Sequence, residues 1–180
     1  MNVLAFAGST SKESINKQLV EFAASYFKED KVEILDLNNF EMTIFSMDKE
    51  IEQGIPDLAY AFADKIAQSD LILLSLAEHN GAYSAAFKNV FDWVSRIPNQ
   101  SVFQDKGIFL MATSPGPRGG GGVLDLAKNR FPWNGGKVLD TFSLPSFGET
   151  FQAQKGVVNE TLKEELETKI AKIKMDLTAN

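Results

Sequence analysis

Three short runs with almost no polar residue constrain this chain most: Val3–Ala7, Leu71–Leu74 and Gly107–Ala112. A strand with one wet face alternates polar and apolar residues, whereas a strand covered on both faces reads as an unbroken apolar run. Each run ends in a loop rich in small or polar residues: Gly8–Asn16, Glu78–Tyr83 and Ser114–Gly122. A helical pattern follows each loop. Strands that alternate with helices in this way predict a parallel sheet with helices on both faces, and such sheets present ligands at their loop-bearing rim.

The remaining segments extend the pattern. Ile15, Leu19, Phe22, Ala23 and Tyr26 share one helical face, and Leu58, Phe62 and Ile66 mark a second helix opened by Pro56-Asp57. Phe87, Val90, Phe91 and Val94 give a third helix, with Ser84 as its expected N-cap. Val123–Phe131 gives a short fourth, stopped by Pro132. Leu162, Leu166, Ile170, Ile173 and Leu177 give a long last one. Val32–Leu37 and Lys137–Leu144 complete a set of five strands. The expected fold is a doubly wound α/β domain over residues 1–180, with right-handed connections. Periodicity does not fix the strand order. In a 2-1-3-4-5 sheet, however, the loops after strands one, three and four lie side by side, and those are the three unusual loops. Between Asn38 and Ile55 runs a long irregular connection bearing Phe40, Met42, Ile44, Phe45 and Met47. A connection of that length is usually functional or partly helical, and it reads equally as a pocket wall or as a loop packed on the surface of the core.

Composition narrows the chemistry. Cysteine is absent and His79 is the single histidine, which excludes disulfides, thiolate metal sites and a Cys nucleophile; no metal is expected. A net charge of −6 argues against nucleic acid as a partner. No segment approaches the roughly 18 apolar residues of a membrane span. The first residues lack the basic and apolar regions of a secretory leader, so a cytoplasmic location is expected.

The first loop clusters Ser9, Thr10, Ser11, Ser14, Ile15 and Asn16 at the start of a helix. Hydroxyls and free N–H groups there suit a phosphate, although a serine-rich N-cap with no ligand reads the same way. Its spacing matches neither a Walker A loop nor GxGxxG. The second loop offers Glu78, His79, Asn80 and Gly81, where glycine allows a planar ligand to approach the backbone. His79 as a packing residue and Glu78 as a helix-capping carboxylate are the competing readings. The third loop places Ser114, Gly116 and Gly119 beside Arg118, a residue suited to a phosphate or to plain solvent exposure. Trp93 and Trp133 read as core or interface residues.

Taken in order, the loops resemble the NADPH-dependent FMN reductase family of flavodoxin-like fold. Its patterns G-S-x-R-x-x-S-x-N, P-E-Y-N-G-S-x-P-x-x-L-K-N-x-x-D-W and S-x-G-x-x-G-G correspond to Gly8–Asn16, Ala77–Trp93 and Ser114–Gly120. The most specific part is Phe87-Lys88-Asn89 followed by Asp92-Trp93. Ser11 stands where the family has arginine, Ala77 and His79 replace its proline and tyrosine, and Ala82 its serine. The resemblance implies a flavodoxin-like five-stranded sheet of order 2-1-3-4-5 and a bound FMN. Ser9, Ser11, Ser14, Ile15 and Asn16 would hold the phosphate. Glu78, His79, Asn80 and Gly81 would line the ring, and Ser114, Gly116 and Gly119 would close over it. The implied activity passes hydride from NADPH or NADH to FMN, then reduces a quinone, free flavin, azo or nitro compound, with no side chain assigned as catalytic. It also implies a homodimer or homotetramer. A flavodoxin-type electron carrier is the rival reading, although the first loop lacks that group's T/S-x-T-G-x-T pattern.

Overall fold

The computed structural model describes residues 1–178. In chain order its elements begin with β1 (Asn2–Gly8), α1 (Ile15–Ala24), β2 (Lys31–Leu35), α2 (Met47–Gln53), α3 (Asp57–Ala67) and β3 (Leu71–Leu76). A small ribbon follows, β4 (Glu78–His79) and β5 (Ala82–Tyr83), then α4 (Ala85–Val94), β6 (Gly107–Thr113), α5 (Gly121–Arg130) and β7 (Lys137–Leu144). The chain ends with α6 (Phe147–Thr150), β8 (Phe151–Gln152), β9 (Gly156–Val157) and α7 (Glu160–Thr178). The five long strands form one parallel sheet of order β2-β1-β3-β6-β7. Counted among the long strands alone, that is the expected 2-1-3-4-5.

Side chains of the central strands alternate between two cores, and both cores are dry. Leu4, Phe6, Ile72, Leu74, Ile108 and Leu110 meet α3, α4 and α5 on one face. Val3, Ala5, Leu71, Leu73, Phe109 and Met111 meet α1 and α7 on the other. This two-sided burial explains the unbroken apolar runs. Each buried Leu or Phe contributes about 1.5–3 kcal/mol relative to exposure.

Local signals set the ends of elements. Ser14 caps α1 by accepting the Lys17 N–H at 3.2 Å, and Ser84 caps α4 through the Phe87 N–H at 3.2 Å. The second strand stops at Leu35, two residues before the apolar pattern ends. Asp36 accepts the Asn38 N–H at 2.9 Å and turns the chain into a 3-10 turn at Leu37–Phe40. The long connection does contain a helix, α2, which buries no residue of its own. Residues 151–160 contain the β8–β9 ribbon.

Candidate active site

The carboxyl ends of β1, β3 and β6 are neighbours, so the three loops meet along one rim. Polar side chains beneath the rim knit them together. Asn16, 3% exposed, is the central knot. Its Oδ1 accepts the Ser75 hydroxyl at 2.8 Å and the Thr113 amide at 3.0 Å, and its Nδ2 donates to the Thr113 carbonyl at 3.2 Å. One side chain thus joins the first turn of α1 to the ends of β3 and β6. Ser84 adds a second knot by donating to the Gly8 carbonyl at 2.7 Å. Ser75 and Thr113 carry no motif of their own. The only sequence signal is that each is polar at or near the end of an otherwise apolar run.

The first loop is open. Ser9 is half-buried, while Thr10, Ser11, Lys12 and Glu13 are exposed. Inside the loop the Ser11 N–H donates to Ser9 Oγ at 3.2 Å and the Ser14 N–H to the Ser11 carbonyl at 3.2 Å. Among the described residues, no protein acceptor meets the N–H of Thr10, Lys12 or Glu13. These donors, the hydroxyls of Ser9, Thr10 and Ser11, and the positive end of α1 make a donor set that fits a phosphate. Ile15 is half-buried just behind them. Lys17, in the first turn of α1, is turned to Asp36 at 2.9 Å. The pair holds the Lys17 ammonium above its ordinary pKa. The Asn38 N–H first, and Lys17 next, hold the Asp36 carboxyl down to about 2.

The second loop is a hairpin. Asn80 and Gly81 have φ of 53° and 77°, the left-handed pair of a tight two-residue turn between β4 and β5. His79, Asn80 and Gly81 are exposed at its tip. Its base is anchored by Tyr83, whose ring stacks on Phe131 with centroids 5.9 Å apart. Burial pushes the Tyr83 phenol up to about 12. Glu78 is half-buried, and its Oε2 accepts the Val123 N–H at 2.9 Å.

The third loop is tied to the protein chiefly through its carbonyls; among the described residues, no protein acceptor meets the N–H of Gly116, Arg118 or Gly120. Gly119 N–H donates to the Gly116 carbonyl, Ser146 N–H to the same carbonyl and Phe147 N–H to the Ser114 carbonyl. Ser114 Oγ also reaches the Gly116 carbonyl, at 3.1 Å. Gly119 is required here: its φ is 56°, and a Cβ would stand 2.3 Å from Ser143 Oγ. Arg118 is exposed.

In the second motif Lys88 and Asp92 pair with each other at 2.7 Å, while Asn89 and Trp93 serve the long connection. Asn89 accepts the Phe45 N–H at 2.9 Å and donates to the Met42 and Thr43 carbonyls at 3.0 and 3.2 Å. Trp93, 1% exposed, donates its indole N–H to the Thr43 carbonyl at 2.7 Å. The pinned segment walls a cleft of about 320 Å³ lined by Thr10, Met42, Ile44, Ala85 and Asn89 among others. Trp133, by contrast, is 82% exposed and belongs to neither core.

Residues 1–149 match the model of the NADPH-dependent FMN reductase family. The chain belongs to that family. It is 31% identical over 179 residues to an NADPH:quinone oxidoreductase of Arabidopsis thaliana, a match covering 92% of this chain and 86% of that protein. Among solved structures it is similar to FerB, a flavoenzyme NAD(P)H:(acceptor) oxidoreductase from Paracoccus denitrificans. The TM-score is 0.73 at 23% identity, over 94% of this chain and 95% of that one. An FMN-dependent NADH-azoreductase from Bacillus anthracis, solved with FMN, shares the fold with a TM-score of 0.70 at 10% identity, over 96% and 99% of the two chains. The expected fold, enzyme class and cofactor, an NAD(P)H-dependent oxidoreductase using FMN, are those of the family. Among the described residues no helix is long and apolar enough to cross a membrane.

Proposed function

We propose that this chain reduces a small electron acceptor, a quinone or an azo, nitro or free flavin compound, with NADPH or NADH through FMN held on the three-loop rim. The unmet N–H groups of Thr10, Lys12 and Glu13 at the start of α1 carry the reading. In it the first loop takes the phosphate through those amides and the hydroxyls of Ser9 and Ser11. Ser14 and Asn16 work from below: Ser14 caps α1, and the Asn16 side chain ties the loop to β3 and β6. The hairpin tip, His79 to Gly81, faces the ring edge, and Ser114, Gly116 and Gly119 form a strap beside it.

Bound FMN supplies hydride acceptance and electron delivery. The protein supplies orientation, a dry floor and fixed backbone donors. No side chain need be charged with proton transfer. The cleft beside Thr10, walled by Met42 and Ile44, suits an apolar, planar acceptor. The exposed Trp133 favours a homodimer or homotetramer, and the lack of cysteine favours the cytoplasm.

Anaerobic mixing of FMN-loaded protein with NADPH or NADH should bleach the flavin absorbance, and a quinone should restore it. Loss of the proposal would follow from protein that takes up no FMN on reconstitution. A flavin that stays oxidised under both nicotinamides would instead favour the electron-carrier reading.

A further inference from the structure

α5 begins without a cap of its own. Its N-cap residue is Gly120, in the left-handed region with φ of 77°, and no side chain in its first turn is acidic. The cap comes from 45 residues earlier in the chain. Glu78 Oε2 accepts the Val123 N–H at 2.9 Å, and a Cβ on Gly122 would lie 3.1 Å from that same oxygen. The carboxylate therefore lies flat over the first turn of α5, and Gly122 leaves room for it. A negative charge at this end is favoured by the helix dipole as well as by the hydrogen bond.

This placement links two loops that the main chain keeps apart. Glu78 opens β4, one residue before the hairpin tip, and Val123 stands just past the third loop. The third loop is fixed on its other side by Ser143 Oγ donating to the Gly119 carbonyl and by the bonds of Ser146 and Phe147. Without Glu78 its exit into α5 has no side-chain fastening.

We propose that Glu78 is a positioning residue: a clamp that locks the hairpin tip to the third loop and so preorganises the strap beside the flavin. The clamp also meets one N–H of the α5 N-terminus, that of Val123. The flavin part rests on the function proposed above, whereas the clamp itself is testable without cofactor.

The test compares wild type, Glu78→Ala and Glu78→Gln by amide hydrogen exchange of the apoprotein and by FMN titration. In Glu78→Ala, exchange across residues 114–124 should quicken roughly fivefold or more, as for loss of a helix cap, with α1 and α3 unchanged. The FMN dissociation constant should rise by a similar factor. Glu78→Gln keeps an acceptor oxygen and should restore most of both. Unchanged exchange at 114–124 in Glu78→Ala would overturn the clamp. Faster exchange with an unaltered dissociation constant would overturn its role toward the cofactor. A wild type with no affinity for FMN would sink the flavin reading instead, and the exchange comparison would still decide the clamp.

Discussion

The first and third loops occupy the same rim, two strands apart, yet the third is held by far more bonds to its own carbonyls than the first. The first leaves the N–H groups of Thr10, Lys12 and Glu13 without a protein partner. The third also leaves the N–H groups of Gly116, Arg118 and Gly120 unmet, but its carbonyls are held: those of Ser114, Gly116 and Gly119 accept from Phe147, Gly119, Ser146 and Ser143. Both are rich in small residues, so composition alone makes them look alike. The difference is one of purpose. Small residues in the first loop leave its donors facing solvent. In the third they let the chain fold tightly on itself: Gly119 has no space for a Cβ, and Gly120 would place one 2.7 Å from Ala112 Cβ.

The strongest way to break this contrast is at the knot both loops share. Asn16→Ala strips partners from the Ser75 hydroxyl and the Thr113 amide, both buried. It should cost about 2–4 kcal/mol in urea unfolding and weaken FMN binding with it. Next comes a matched pair within the third loop. Gly119→Ala, forced against Ser143 and Pro145 at positive φ, should lose roughly 1–3 kcal/mol. Gly116→Ala, with open space around its Cβ, should lose about 0.5 kcal/mol or less. Equal losses in the two variants would show that the third loop is not packed as described.

The first loop should respond in affinity and not in stability. Ser11→Arg adds a cation beside the unmet amides of an exposed loop. It should tighten FMN several-fold, by about 1 kcal/mol, in a fluorescence-quenching titration, with the melting temperature unchanged. The smallest effect lies at its flank. Asp36 is held down to about 2 from an ordinary 3.8. Its stabilising contribution is complete above 3.8 and is lost as pH falls toward 2. The pair is more than a third exposed, so the effect is small. Asp36→Asn should flatten the pH dependence of the urea midpoint across that acid window and lower the midpoint slightly near neutrality, where the contribution is complete.

The strands could be read from the sequence because burial on two faces leaves a continuous apolar run, and β1, β3 and β6 carry one each. Sheet order was legible only through the loops, since ligand-like segments after three particular strands make sense when those strands adjoin. α2 was hidden for a physical reason: it buries nothing, so it has no stripe, and only Ser46 and its first-turn acids mark it. The hairpin was hidden because its strands are two residues long, too short for any period. The knots at Ser75 and Thr113 have partners 59 and 97 residues away, which no local pattern encodes. Glu78 was legible in part. Its residue type and motif pointed to the rim, and helix capping was one of its two readings, but the helix it caps follows a different strand.

Asn89 and Trp93 hydrogen-bond the segment at 42–46 only through its main chain, by two carbonyls and one amide, while Met42 and Phe45 pack inward on the core. A wall fastened in that manner does not depend on the side chains it displays to solvent. Ile44, 77% exposed, can be exchanged while the grip persists. Acceptor preference is thereby free to drift in evolution, or to be redesigned, without disturbing the cradle for the cofactor.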